Sequence, residues 1–334
     1  MPAETPTPKT VIWIFTSKCN LACPHCYASI YRERQEMSLK EKLALIDEMG
    51  EMGVEHVGLS GGEPLIHPHL EQMLEKLRDW NLSVSIVTNA TAVSKRIAET
   101  LYRNEVFTYV SLDGPKEVHD RIRGSGVFDK TIKGIQILRE TGVSIATVTS
   151  IGSLNYEFTG WCIRKASEIG ADHAALIPVM PAGKARETRV YIDKKLLQKA
   201  LKIAINAARE EWYPISLWCM PFAPLVIGDY PLARTFYCRT YETIDIDPSG
   251  NIMICDVLGD PIVNARMGLK EAWEIYVSLE ETKEIVEPKK LPKPCMECPI
   301  REYCKGGCYA RSKLFFGDYN AGDPLCPRVS DGTS

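Results

Sequence analysis

Apolar positions follow two alternating spacings along the first two-thirds of the chain. Short β-branched runs predict strands at Val11–Thr16, His56–Ser60, Ser83–Thr88, Phe107–Leu112, Val143–Ser150 and His173–Val179. Between these runs apolar residues recur every three or four positions. Leu39, Leu43, Ile46 and Met49 predict a helix over Leu39–Met52, and Leu70, Met73, Leu74 and Leu77 predict one over His69–Trp80. Further helices are predicted at Ser94–Tyr102, Asp129–Thr141 and Glu157–Ile169. Strand–helix alternation with short turns implies a parallel sheet with helices outside it. Six such units are visible. The expected fold is therefore α/β, a partial (β/α)6 TIM-like barrel, with chemistry at the C-terminal ends of its strands.

The pattern breaks at Pro178–Lys184, and a long helix is predicted over Lys194–Glu211. From Pro214 onward proline and cysteine become frequent and apolar periodicity fades. Thr243–Asp247, the turn Pro248-Ser249-Gly250-Asn251 and Ile252–Cys255 read as a β-hairpin, and Lys270–Val277 as a short helix. Pro292–Arg328 has too few periodic apolar residues to form a core alone, so metal crosslinks are its natural stabiliser. The expected organisation is a disordered leader over 1–10, the partial barrel over 11–190, a helical bridge over 191–237, a small cysteine-rich domain over 238–328, and a disordered tail over 329–334.

Composition narrows the function. With 45% hydrophobic and 25% charged residues, the chain is ordinary for a soluble globular protein. A formal net charge of −3 gives no electrostatic case for nucleic acid or an anionic membrane surface. No apolar run reaches the ~18 residues of a membrane span, and Met1–Thr10 has no apolar core that would make it a secretory signal. A cytoplasmic location is expected. In that reducing compartment, twelve cysteines point to metal binding rather than disulfides.

Cys19-x3-Cys23-x2-Cys26 follows the first predicted strand directly. Three thiolates suit a [4Fe–4S] cluster with one iron left free, and an open metal position usually means chemistry. A zinc site with a distant fourth ligand such as His25 is the alternative.

This spacing, followed by Tyr27, resembles the signature of the radical S-adenosylmethionine (radical SAM) superfamily. Gly61-Gly62-Glu63-Pro64 after the second strand resembles the motif that holds the amino end of the methionine moiety, although alone it would read as a turn. Ser111-Leu112-Asp113-Gly114, His119-Asp120 and Arg123-Gly124 resemble the fourth-strand segment of the subgroup that modifies peptides and cofactors, with Ser111 as the ribose contact. Asp113-Gly114 also fits a strand-ending turn. His25 is expected near the adenine edge. The resemblance implies reductive cleavage of S-adenosylmethionine to methionine and a 5′-deoxyadenosyl radical, which abstracts a hydrogen from substrate. The protein orients the cofactor and excludes solvent, with the C-terminal segment as lid.

Cys238, Gly250, Cys255, Cys295, Cys298, Cys304, Cys308 and Cys326 resemble in order and spacing the SPASM domain. The family pattern implies two auxiliary iron–sulfur clusters, the first on Cys238, Cys255 and Cys308, the second on Cys295, Cys298, Cys304 and Cys326. Seven cysteines without paired histidines do not divide into tetrahedral zinc sites. A fourth ligand for the first cluster is open: Cys219, the substrate, or none. Cys219 lies among Trp218, Met220 and Phe222 and reads more simply as a buried inert thiol; Cys162 reads as core.

Asp256 follows Cys255, and by resemblance to anaerobic sulfatase-maturing enzymes it is a candidate general base. Lys184 and Arg186, in Pro181–Arg186, are candidate partners for a substrate or cofactor carboxylate, or solvated loop residues. Many peptide-modifying relatives carry an N-terminal leader-binding domain; only Met1–Thr10 precede the first strand, so leader guidance is less expected unless a separate recognition protein supplies it. The favoured reading is a peptide or protein maturase. The alternatives are a small-cofactor enzyme of the haem pathway acting on porphyrin side chains, and an electron-transfer protein without radical chemistry. A ferredoxin or flavodoxin is the expected electron donor, and oxygen sensitivity implies an anaerobic setting.

Overall fold

The computed structural model describes residues 7–330. The parts of the expected leader and tail at 1–6 and 331–334 lie outside the described residues. Residues 9 and 10 belong to the fold, because the amides of Lys9 and Thr10 both donate to the Glu242 carbonyl at 2.9 Å. Val329 is buried at the other end and accepts a hydrogen bond from Lys194.

Six strand–helix units run as expected: β1 (Thr10–Thr16), α1 (Leu39–Glu51), β2 (His56–Gly61), α2 (Leu70–Asp79), β3 (Ser83–Thr88), α3 (Lys95–Arg103), β4 (Phe107–Ser111), α4 (Lys116–Arg123), α5 (Val127–Thr141), β5 (Ile145–Ile151), α6 (Thr159–Glu168) and β6 (Ala174–Pro178). Central β1 buries Val11, Trp13, Ile14 and Phe15, so both its faces are covered, as parallel sheets require. Ser38 starts α1 with a capping box, its hydroxyl accepting from the Glu41 amide while the Glu41 carboxylate accepts from the Ser38 amide at 2.7 Å. Helix α4 was not expected. It carries His119, Asp120 and Arg123, which the sequence presents only as motif residues.

Segment 191–237 is not wholly helical. After α7 (Lys184–Thr188) and α8 (Lys194–Glu210) come β7 (Ile215–Leu217), α9 (Pro224–Ile227) and β8 (Ala233–Thr235). The two short strands extend the parallel sheet beyond β6. The hairpin then continues the same sheet on its other side. β9 (Thr243–Ile246) pairs parallel with β1, and β10 (Asn251–Met253) pairs antiparallel with β9 and with β11 (Pro261–Asn264). The result is an open eleven-stranded sheet with β11 and β8 at its edges.

The hairpin turn is held by Asp247, whose buried carboxylate accepts from the amides of Ser249 and Asn251 at 2.8 Å and from Arg34. The tail adds α10 (Leu269–Ser278), α11 (Glu280–Val286), α12 (Lys293–Met296), α13 (Arg301–Cys304) and α14 (Tyr309–Phe316). No helix of the described residues is long and apolar enough to cross a membrane.

Candidate active site and auxiliary thiol sets

The loop bearing Cys19, Cys23 and Cys26 leaves the C-terminal end of β1 and is pinned at its root by Glu36. One Glu36 oxygen accepts from the Thr16 hydroxyl (3.0 Å) and from the Ser17 amide (2.8 Å) and hydroxyl (2.9 Å); the other accepts from the buried Lys42 ammonium (3.2 Å). Lys42 also donates to His67 Nε2 at 2.9 Å. Burial alone would raise the Glu36 carboxyl. Ser17 and Lys42 outweigh it and hold the pKa at about 2.

Gly61 and Gly62 exist for close approach. The Gly62 amide donates to the Thr16 carbonyl and the Glu63 amide to the Lys18 carbonyl, both at 2.8 Å. A Cβ on Gly62 would stand 1.9 Å from the Lys18 oxygen, and one on Gly61 (φ 129°) 2.3 Å from the Thr16 oxygen. The two motif loops are thus laced together backbone to backbone. Glu63 is buried, and its carboxylate accepts from the Thr88 hydroxyl (2.5 Å), the Asn89 amide (2.8 Å) and the Leu65 amide (3.0 Å). A carboxylate offers about four acceptor positions, so one remains for the amino group it was expected to hold. Pro64 opens the short 3-10 turn Pro64–Ile66.

Two cations act on the triad, Arg32 on Cys19 and Cys26, and Arg123. The Arg123 guanidinium Nε donates to Asp113 at 2.5 Å, and its charge acts on Cys23 and Cys26. Asp113 is completely buried and also accepts from the Ser150 amide at 2.9 Å, so Asp113-Gly114 is more than a turn. Ser111 is buried at the end of β4. His25 lies against Arg123 and Asp113, and burial and the guanidinium hold its pKa at about 4. Burial pushes the Cys23 thiol up to about 11, against the pull of Arg123.

The segment Pro181–Arg186 closes over the triad loop. The Lys184 amide donates to the Cys26 carbonyl (3.1 Å) and the Ser29 hydroxyl (2.8 Å), and a Cβ on Gly183 would lie 2.5 Å from the Tyr27 carbonyl oxygen. Lys184 is half-buried beside the triad; Arg186 is exposed.

Cys219 is not an inert core thiol. At φ 56° its backbone turns sharply, and its side chain lies in hydrogen-bonding contact with those of Cys238 and Cys308. Cys219, Cys255 and Cys308 pack with Met180 and Val257. Cys219 thus lies with the three thiols expected of the first set, in the place the sequence left open for a fourth. Cys295, Cys298, Cys304 and Cys326 line a second pocket, edged by Leu225 and Arg328. Burial pushes Cys295 to about 11 and Cys304 to about 12, with neighbouring thiols adding to it. Protonated thiols in such sites are poor nucleophiles, but a metal displaces their protons and makes them strong ligands. Two four-thiol sets fit iron–sulfur clusters. The eighth thiol also removes the arithmetic that argued against zinc, since four thiols suit either.

The two regions touch. Tyr27, expected at the cofactor, directs its phenol to Asp256 Oδ2 at 2.6 Å. The Asp256 amide donates to Asp245 at 2.8 Å, and its carbonyl accepts from Tyr31. Burial raises the carboxyls of Asp256 and Asp245. Sequence reasoning missed Asp245 and Tyr31, which left no signal; it kept Cys219 open as a fourth ligand but preferred it as a core thiol.

Residues 13–158 match the Radical SAM superfamily. The chain is similar to an AdoMet-dependent heme synthase of Methanosarcina barkeri, 28% identical over 98% of both chains. It is similar to the mycofactocin maturase MftC of Mycobacterium tuberculosis, 27% identical over 96% of this chain and 83% of the other. Its fold superposes on anSMEcpe with bound AdoMet and a peptide at a TM-score of 0.77, with 18% identity and 97% and 94% of the two chains covered. The chain belongs to the radical SAM enzymes and is homologous along its length to their SPASM-domain members.

Proposed function

We propose that Cys19, Cys23 and Cys26 hold a radical SAM cluster, that Cys219, Cys238, Cys255 and Cys308 and the set Cys295, Cys298, Cys304 and Cys326 hold two auxiliary clusters, and that the enzyme oxidises a substrate C–H bond between the triad and Asp256. The observation that carries this reading is the Tyr27–Asp256 hydrogen bond, which sets the triad loop against the first auxiliary set. When bound, S-adenosylmethionine and its cluster supply a 5′-deoxyadenosyl radical that takes the hydrogen. The chain's part is positioning and proton handling. Arg123 supplies positive charge beside the triad, and Lys184 lies against its loop. Asp256 Oδ1, which faces the Cys255 thiol at 3.6 Å, would accept the proton of the substrate radical while its remaining electron would go to the auxiliary cluster that Cys255 helps to hold. A reducing cytoplasm and a ferredoxin or flavodoxin donor accompany this reading. The division into barrel, bridge and cluster lid stays a proposal, with the bridge lending two strands to the sheet.

For the substrate we favour a carboxylate-bearing tetrapyrrole, the second of the classes expected from sequence. The support is the similarity to the heme synthase along both chains, with Lys184 and Arg186 as partners for carboxylates. A peptide side chain is the second reading, supported by the similarity to MftC. Anaerobic incubation of the reduced enzyme and S-adenosylmethionine with iron-coproporphyrin, and separately with short peptides encoded beside the gene, tests both. A mass change in the porphyrin, with 5′-deoxyadenosine formed in step, is expected. Modification of a peptide alone would overturn the first reading.

A further inference from the structure

Two arginines are buried within the C-terminal region, each about 1% exposed, and they differ in one respect. Arg311 is neutralised: it donates to both oxygens of Asp323, at 2.8 and 2.6 Å. Arg239, the residue after Cys238, donates only to neutral acceptors. These are the carbonyls of Gly307 (3.2 Å), Ile285 (2.9 Å) and Tyr319 (2.7 Å), and Asn320 Oδ1 (2.8 Å). Among the described residues no carboxylate is recorded within the 4.0 Å of an ion pair with it. A buried charge left without a counter-charge costs several kcal/mol.

The acidic groups near Arg239 are the Tyr309 phenol, whose ring centroid is 5.6 Å from the guanidinium, the thiols of Cys308 and Cys304, and Asp323. Asp323 is already engaged by Arg311. Cys304 belongs to one thiol set and Cys308 to the other, and the link between them, Gly306-Gly307, lies against the guanidinium. A Cβ on Gly306 would be 3.7 Å from Arg239 Nη2. The guanidinium therefore faces the segment that joins the two sets, and the negative charge it lacks is what clusters on those thiolates would bring.

We propose that Arg239 is the counter-charge shared by the two auxiliary centres and that it sets their reduction potentials. The inference rests on the iron–sulfur reading of the two thiol sets. One-electron reduction by a low-potential donor makes a cluster more negative without making or breaking a bond in the chain. A nearby fixed cation stabilises that reduced state and so raises the potential. Arg311 also lies against Cys308 and Cys219, but its charge is offset by Asp323, whereas that of Arg239 has no such partner. Arg239 is a positioning residue in this sense and touches no substrate.

The test is an EPR-monitored redox titration of the full-length, anaerobically reconstituted protein and three variants. Arg239→Gln removes the charge. Arg239→Lys keeps it. Asn320→Asp leaves the arginine in place and gives it a carboxylate at the position of its present amide partner. The expected result is a shift of the auxiliary signals to lower potential in Arg239→Gln and Asn320→Asp, an unshifted radical SAM signal, and Arg239→Lys nearest the parent. If Arg239→Gln fails to hold its clusters, Asn320→Asp decides. Parent-like potentials in Asn320→Asp would overturn the proposal, as would Arg239→Lys shifting as far as Arg239→Gln. A parent protein that binds zinc in these sets would instead overturn the cluster reading, and this inference with it.

Discussion

The Tyr27 phenol donates a 2.6 Å hydrogen bond to Asp256 Oδ2, so the residue after Cys26 touches the residue after Cys255. Two segments more than two hundred residues apart in sequence are thereby held at one place, with Tyr27 on the Asp256 carboxylate and Asp245 accepting from its backbone amide. Tyr27→Phe removes one hydrogen bond to a carboxylate, worth about 1.5–3 kcal/mol. S-adenosylmethionine cleavage should persist while its coupling to substrate oxidation weakens. The ratio of 5′-deoxyadenosine to modified substrate should rise about tenfold or more. An unchanged ratio would remove Asp256 from the chemistry.

Cys219 completes a four-thiol set with Cys238, Cys255 and Cys308. Cys219→Ser should lose or convert one auxiliary cluster, lowering iron by up to about four atoms per chain and changing one EPR signal. Cys162→Ala serves as the control. That thiol is buried in α6, with a pKa pushed to about 12 by burial, and the variant should retain all its iron. Equal iron in Cys219→Ser and its parent would return Cys219 to the core.

Gly62 allows the loop after β2 to lie on the triad loop. Gly62→Ala puts a methyl 1.9 Å from the Lys18 carbonyl oxygen, where backbone must move. We expect a loss of about 1–3 kcal/mol in thermal unfolding and weaker S-adenosylmethionine binding by equilibrium dialysis. Parent-like values in both would show that the two loops are not locked.

Glu36 and His67 make the root of the triad loop acid-sensitive. Burial, with the neighbouring Lys42 charge, lowers His67 from 6.5 to about 4, and Glu36 is lowered from 4.5 to about 2. Both folded values lie below their unfolded ones. Stability from His67 is full above pH 6.5 and is lost as pH falls toward 4; that from Glu36 is full above 4.5 and is lost toward 2. Unfolding followed from pH 7 downward should show a decline that Glu36→Gln flattens in its lower part. Parallel curves for parent and variant would contradict this.

What could be read from the chain was what is local. Strands β1 to β6 emerge as short β-branched runs, and helices α1, α2, α3, α5 and α6 from apolar spacing, because each buries its own residues; α4 does not emerge this way. β7 and β8 are three residues long and show no period to find. β9 owes its place to pairing with β1, a contact no local pattern encodes. The triad was legible because its three cysteines share one loop. Cys219 was legible only as one of several options for a fourth ligand, because Trp218, Met220 and Phe222 give it the surroundings of a core residue, and only folding brings it to Cys238 and Cys308. The contacts of Glu63 with Thr88 and Asn89, which reach it from the next strand, were not legible in its motif. Arg123 shows the same limit: its partner Asp113 and its neighbour Cys23 sit on different elements.

The central claim is that the loop of Cys19, Cys23 and Cys26 generates a radical from S-adenosylmethionine. The most direct measurement is 5′-deoxyadenosine formed by the anaerobically reconstituted, reduced protein, beside a Cys23→Ala variant. Steady formation by the parent and none by the variant is predicted. No product from an iron-replete parent, or equal product from Cys23→Ala, would contradict it.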